Sequence, residues 1–379
     1  MNVAIVVPDP SLGPDVPFGD SMRLQLLRSS IEGLGHDVQM LWAEAHHAGA
    51  AVARSRRVPS QARPLLRDMR TLIRARRFTS ELADVRRPDL VLEFATYLAP
   101  VGLGLARRLD VPYVVEVEGP LAALRYEDGR SPLRALGDRQ LARQLRAASA
   151  VLTVSKPLAD HLVGLGSTPE HTVVAPNVAD TDVFKPDVAR RSSTRAALEV
   201  GPETIVFGFH GVFSPWYSLP RLVQAAAETS LPDVCVLLIG DGVDRGVIES
   251  TAREFGTRVI VTGFVPQARA AELVQAMDVG VVPDHAWWTS PLKLFELGAV
   301  GKPVVAAGVP SVTSVAGTDE VAIFDPGDQG ALARELDTLG RDASRRDALA
   351  DKWHARVLRD YTLSTLQSNV ARALELAIT

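Results

Sequence analysis

Twelve short apolar runs, separated by longer stretches of helical periodicity, constrain this chain more than any other feature. In the first half they are VAIVVP (3 to 8), DVQML (37 to 41), LVLEF (90 to 94), YVVEVEG (113 to 119), AVLTVS (150 to 155) and TVVAP (172 to 176). The second half restarts with TIVFGFHG (204 to 211), VCVLLIGDG (234 to 242), RVIVTG (258 to 263), DVGVVP (278 to 283), KPVVAA (302 to 307) and AIFD (322 to 325). Strand-like runs alternating with helical patterns, such as Ser21 to Leu34, Leu98 to Leu109 and Ala135 to Ala148, specify parallel sheets covered by helices. At 379 residues the chain exceeds one ordinary core, so two Rossmann-like α/β domains facing a cleft are expected, 1–185 and 186–358. The polar stretch DTDVFKPDVARRSST (180 to 194), broken by Pro186, reads as the linker.

The lone cysteine, Cys235, sits in an apolar run and reads as core. MNVAIVVPDP carries no basic leader, and no segment supplies the roughly 18 uninterrupted apolar residues of a membrane helix, so a cytoplasmic protein is expected. Net charge is −4 but uneven: residues 1 to 185 hold 23 Lys+Arg against 21 Asp+Glu, and the remainder 18 against 24. The excess lies in residues 54 to 87, where eleven arginines face three acids. That segment reads as a solvated helical face, or as a patch for an anionic membrane surface or acidic partner. An acidic chain without a recognised binding motif argues against nucleic acid.

Within SPLKLFELGAVGKPVVA (290 to 306), Ser290 is placed to cap a helix of about ten residues beginning at Pro291, with Gly301 ending it. The free amides and dipole of its first turn favour an anion such as phosphate, and Lys293 adds charge. Glu296, on the same side, suits hydrogen bonds from sugar hydroxyls; the plain alternative is a surface Lys293/Glu296 pair. Asn177 caps a turn or lines a cleft, and IGDG (239 to 242) is a glycine turn at a strand end.

The segments APNVADTDVFKP, HGVFSPWYSL, LLIGDG, VTGFVP, DVGVVP and SPLKLFELGAVGKPVVA, in this order and spacing, resemble family 4 retaining glycosyltransferases of the GT-B architecture, in the branch with a Ser-Pro-Leu-Lys helix start. The resemblance implies a nucleotide-diphosphate sugar bound on the C-terminal domain, an acceptor on the N-terminal domain, no catalytic metal and no cofactor. It also implies a last helix, within 359–379, that returns to the first domain. Carried over by position, Glu296 holds the donor ribose, while Ser290, Leu292 and Lys293 cradle the diphosphate. Gly240, Asp241 and Val265 line the base pocket, Gly19 closes over the phosphates, and His210, Gly211 and Ser214 belong to the opposite wall.

Three positions depart from that pattern. Trp288 stands where a second sugar-contacting Glu is frequent, Ser214 and Tyr217 stand where an Arg and a Lys usually meet the diphosphate, and Glu118 stands at the strand end that often carries His or Asn. Lys293 and Glu296 are thus the candidate donor-side catalytic residues. Glu118 is placed to orient the acceptor, stabilise oxocarbenium-like charge or act as base. Glu116, Glu118, Glu127 and Asp128 together suit a cationic acceptor, an amino sugar or aminocyclitol. The excess of arginine over lysine, 36 to 5, agrees with a GC-rich bacterial source and an antibiotic-pathway enzyme. The rival readings are a transferase for a lipid-linked or polysaccharide glycan, a non-glycosidic relative (pseudo-glycosyltransferase or epimerase), and an inactive binding partner. No His spacing implies a metal site.

Overall fold

The computed structural model describes residues 1–12, 20–43, 63–122 and 131–379. Two compact units form, Met1–Pro176 with Ser364–Thr379, and Asn177–Leu363. The boundary precedes the expected 185, and the polar stretch 180 to 194 is no linker but part of the second unit. Phe184 is buried in that unit's core. Asp187 accepts the Arg190 amide at 2.8 Å to start the helix Val188–Ala197, whose Arg191 and Arg195 both bind Asp278. A polar composition hid an ordered segment because its arginines share a half-buried acidic partner.

In the first unit, β1 (Asn2–Val7), β2 (Asp37–Trp42), β3 (Leu90–Phe94), β4 (Tyr113–Val117), β5 (Ala150–Thr153) and β6 (Thr172–Val174) form one parallel sheet in the order β2-β1-β3-β4-β5-β6. In the second, β7 (Ile205–His210), β8 (Val234–Ile239), β9 (Arg258–Val261), β10 (Val279–Val282), β11 (Val304–Ala307) and β12 (Ala322–Phe324) form another, β12-β11-β10-β7-β8-β9. Helices cover both faces, so β3, β4, β10 and β11 are buried throughout; β10 and β11 read as unbroken apolar runs, and β3 and β4 as apolar runs with one buried glutamate each. Cys235 lies in β8, where burial pushes its thiol up to about 11, a core thiol rather than a nucleophile.

The second sheet reverses direction beside β7: the chain proceeds through β8 and β9 on one side and returns to β10, β11 and β12 on the other. Loops diverge there at the carboxyl edge, the ligand-binding position of open α/β sheets. β7 ends at His210 and β10 at Val282, and the crossover after β10 carries the helix Leu292–Ala299, which starts at that edge. This helix has eight residues rather than ten, and Ser290 does not cap it. The Ser290 hydroxyl instead accepts the Asn177 amide at 2.9 Å, and the Asn177 side chain donates to the Ser290 carbonyl at 3.2 Å. Leu294 to Ala299 are buried, and the Trp353 indole anchors the helix by donating to the Leu294 carbonyl at 2.8 Å.

Candidate functional site

Lys293 and Glu296 are not an ion pair; each engages another element. The Glu296 carboxylate, 6% exposed, meets the His210 ring at 2.7 Å between Oε2 and Nε2. An ionised Glu296 requires the proton on Nε2, so the imidazole donates, and His210 Nδ1 is left buried without a protein partner. One carboxylate oxygen is thereby fixed by the end of β7 while the other retains its acceptor capacity. His210 thus joins the site as an orienting group.

Lys293, partly buried, passes over Gly211, where a Cβ would lie 2.5 Å from its Cε. Its Nζ stands 5.0 Å from the centre of the Tyr217 ring. Burial opposes the ammonium, but the adjacent Tyr217 phenol and then Glu296 hold it above the ordinary lysine range. Lys293 therefore remains charged through neutral pH. The next ring is His285, 5.6 Å from Tyr217; burial first and the Lys293 charge second push its pKa down to about 4.

That depression carries a testable cost. A His at about 4 when folded and near 6.5 when unfolded stabilises the fold above 6.5, and the benefit is lost as pH falls toward 4. At about 1.4 kcal/mol per unit the loss between pH 7 and pH 4 is about 3 kcal/mol. Urea unfolding should show this component in the wild type and not in His285→Gln.

The Leu292 amide bonds the Ser290 carbonyl at 2.9 Å in a tight turn, and among the described residues no backbone acceptor takes the Lys293 amide. Asp241 is held by the Gly242 amide at 2.8 Å and Arg245 at 2.8 Å, which keep its carboxyl below the usual range. Gly240 has φ 137°, and a Cβ there would collide with the Gly211 carbonyl, so the loops after β7 and β8 are locked together. Gly240→Ala should cost about 3 kcal/mol or more, read as a lowered urea midpoint. Val265 packs on the core cluster of this unit. Ser214 precedes the short turn Pro215–Tyr217, and its carbonyl accepts the Tyr217 amide at 2.9 Å. Trp288 stands edge-on to Trp287, ring centres 5.5 Å apart.

In the first unit, Glu116 and Glu118 share a face at the end of β4, as strand alternation requires. Glu116 is fully buried against Arg23, 2.8 Å away, so it is an internal partner rather than an exposed acceptor ligand. Burial, partly offset by Arg23, raises its pKa. The same guanidinium donates to the carbonyls of Ala175 and Pro176 and lies 3.9 Å from Glu118. Glu118 is the acid of the pair with solvent access, its side chain 15% exposed. Arg23, from the helix Asp20–Gly33, had no signal in sequence; only the fold brings it across 93 residues. Gly19, Glu127, Asp128 and residues 54 to 62 of the arginine-rich segment lie outside the described residues. Among the described residues no group of three or more His, Cys, Asp or Glu could hold a metal ion, and no helix is long and apolar enough to cross a membrane.

Comparison with known proteins gives a consistent assignment. The family profile "Glycosyltransferase Family 4" matches residues 23–183, and "Glycosyl transferases group 1" matches residues 204–342. D-inositol 3-phosphate glycosyltransferase of Rhodococcus erythropolis is 32% identical over 54% of this chain and 49% of its own length. Phosphatidyl-myo-inositol mannosyltransferase of Mycobacterium leprae is 29% identical over 43% of this chain and 45% of its own. The chain thus spans about half the length of the curated relatives it matches. Among solved structures, HepE of Anabaena in complex with UDP and glucose has a TM-score of 0.74 at 18% identity, covering 99% of both chains. Sucrose-phosphate synthase of Thermosynechococcus elongatus has a TM-score of 0.77 at 20% identity, covering 99% of this chain and 98% of its own. At such identities the likeness speaks for the fold. With one profile on each half and this pair of parallel sheets, the chain belongs to the family 4/group 1 glycosyltransferases of the GT-B fold.

Proposed function

We propose that this protein is a retaining glycosyltransferase that moves a hexose-type sugar from a nucleotide-diphosphate sugar to a polyhydroxylated acceptor. The observation that carries the proposal is the head of the helix Leu292–Ala299, where a charged lysine and a carboxylate fixed by His210 stand at the switch point of the second sheet. Diphosphate at Lys293 and the helix start, with ribose hydroxyls on Glu296, matches the chemistry of those groups. Because HepE binds UDP, a uridine nucleotide is the first donor to try. Departure of the diphosphate leaves oxocarbenium-like charge on the sugar, and the acceptor attacks from the face it vacates; Glu118 serves as the acceptor-side carboxylate.

Relatives named for inositol phosphate and phosphatidylinositol favour a polyol acceptor. The amino-sugar or aminocyclitol reading, with its role in an antibiotic pathway, rests among the described residues on Glu118 alone, since Arg23 neutralises Glu116. A lipid-linked acceptor has its own support. On the helix Arg63–Glu81, Leu65, Met69 and Ile73 recur every fourth residue and are exposed, beside exposed Arg70, Arg74 and Arg77, a face suited to an anionic membrane surface from the cytoplasmic side.

The test is incubation with nucleotide sugars and polyol, amino-sugar or lipid-linked acceptors, with nucleoside diphosphate release and product anomeric configuration as readouts. Acceptor-dependent release and a retained configuration are expected. Isomerisation of the donor alone would indicate an epimerase, binding without turnover an inactive partner, and inversion would overturn the retaining mechanism.

A further inference from the structure

The turn after β7 has lost the basic side chains that resemblance leads one to expect at Ser214 and Tyr217, yet it is firmly built. Tyr217 packs against Phe209 with ring centres 5.0 Å apart and against His285 at 5.6 Å. Its face is turned to Lys293 Nζ at 5.0 Å, within the range of a cation–π contact, and its phenol is the first of the groups that hold the pKa of that ammonium up. The lysine stem also passes close to Gly211, φ 128°, where an added Cβ would lie 2.5 Å from Lys293 Cε. Lys293 thus runs close to a glycine backbone and has a ring near its charged end. The groups facing its charge are Tyr217 from the turn, His285 from the loop after β10, and Glu296 from its own helix, with His210 behind Glu296.

We propose that Tyr217 is a positioning residue of the donor site: its phenol holds the Lys293 ammonium at the helix start, so that one fixed lysine does what a pair of bases does elsewhere. The proposal rests on the diphosphate reading given above and extends it to a residue that touches no phosphate itself.

The chain has only five lysines, so the titration of Lys293 is directly observable by NMR with 13Cε-lysine, assigned through Lys293→Ala. In the wild type Lys293 should titrate above the ordinary lysine range, because the phenol and Glu296 outweigh its burial. Tyr217→Phe keeps the ring and its packing and removes the hydroxyl. It should lower the Lys293 titration, weaken binding of inorganic pyrophosphate several-fold, and move the alkaline loss of that binding to lower pH. Tyr217→Ala should do more, about tenfold in affinity, if it folds. Wild-type titration and wild-type pyrophosphate affinity in Tyr217→Phe would overturn the proposal, since ring packing would then be the residue's whole role. If the Lys293 titration falls in Tyr217→Phe while pyrophosphate binds neither protein, the seat stands and the diphosphate reading fails.

Discussion

Lys293→Ala is expected to lower kcat/KM by about 10²–10³-fold while leaving the thermal midpoint nearly unchanged. The magnitude follows from how few charges are available. The positions at Ser214 and Tyr217 are uncharged, and Arg245 is committed to Asp241 and Glu249. On the proposed donor reading, Lys293 and the helix dipole are therefore the groups that supply most of the positive potential where the diphosphate develops charge on departure. Lys293→Arg should rescue poorly, because a planar guanidinium does not replace a compact ammonium seated 5.0 Å from the Tyr217 ring centre. An internal control accompanies the measurement: removing this charge relieves one cause of the depressed His285 pKa, which should rise from about 4 toward its ordinary value. A loss of less than about threefold in kcat/KM would mean the leaving group is neutralised by a residue not identified here.

Glu296→Ala should weaken nucleoside diphosphate binding by about tenfold to a hundredfold, the range for losing one hydrogen bond to a charged acceptor at about 1.5–3 kcal/mol. It also strands His210, whose Nε2 has Glu296 as its partner and whose Nδ1 is already unpartnered, so a stability loss of about 1–3 kcal/mol should accompany it. Glu296→Gln separates the two effects. An amide oxygen still accepts from His210 and from ribose, but as a neutral acceptor of about half the strength, so stability should be largely restored and affinity only partly. Calorimetric titration with UDP, alongside urea unfolding of the same variants, provides both numbers.

The fold was legible because parallel strands buried on both faces must be largely apolar, as LVL in LVLEF and VVAA in KPVVAA are. The turn residues around them need no partner from far away. What eluded sequence reading is long-range and polar. Glu93 sits in the middle of LVLEF as a fully buried carboxyl, raised by burial, because the Gly102 and Leu103 amides and Gln144 surround it. The partners of Glu116 and Glu296 are 93 and 86 residues away, and no local spacing encodes them. The neighbours of Ser290 alone suggest a helix cap, whereas Asn177 takes its hydroxyl from 113 residues off. Glu296 and Lys293 were recognisable as candidates because a helix start has its own sequence grammar; what each of them binds was not.

The most direct test is a crystal structure of the protein with the nucleoside diphosphate that binds it most tightly. The expected result is a diphosphate within hydrogen-bond distance of Lys293 Nζ and the amides at the start of Leu292–Ala299, with ribose hydroxyls on Glu296 and the base beside the Gly240–Asp241 turn. A nucleotide bound with its phosphates away from Lys293, or with Glu296 still facing only His210, would contradict the assignment of this helix as the donor site.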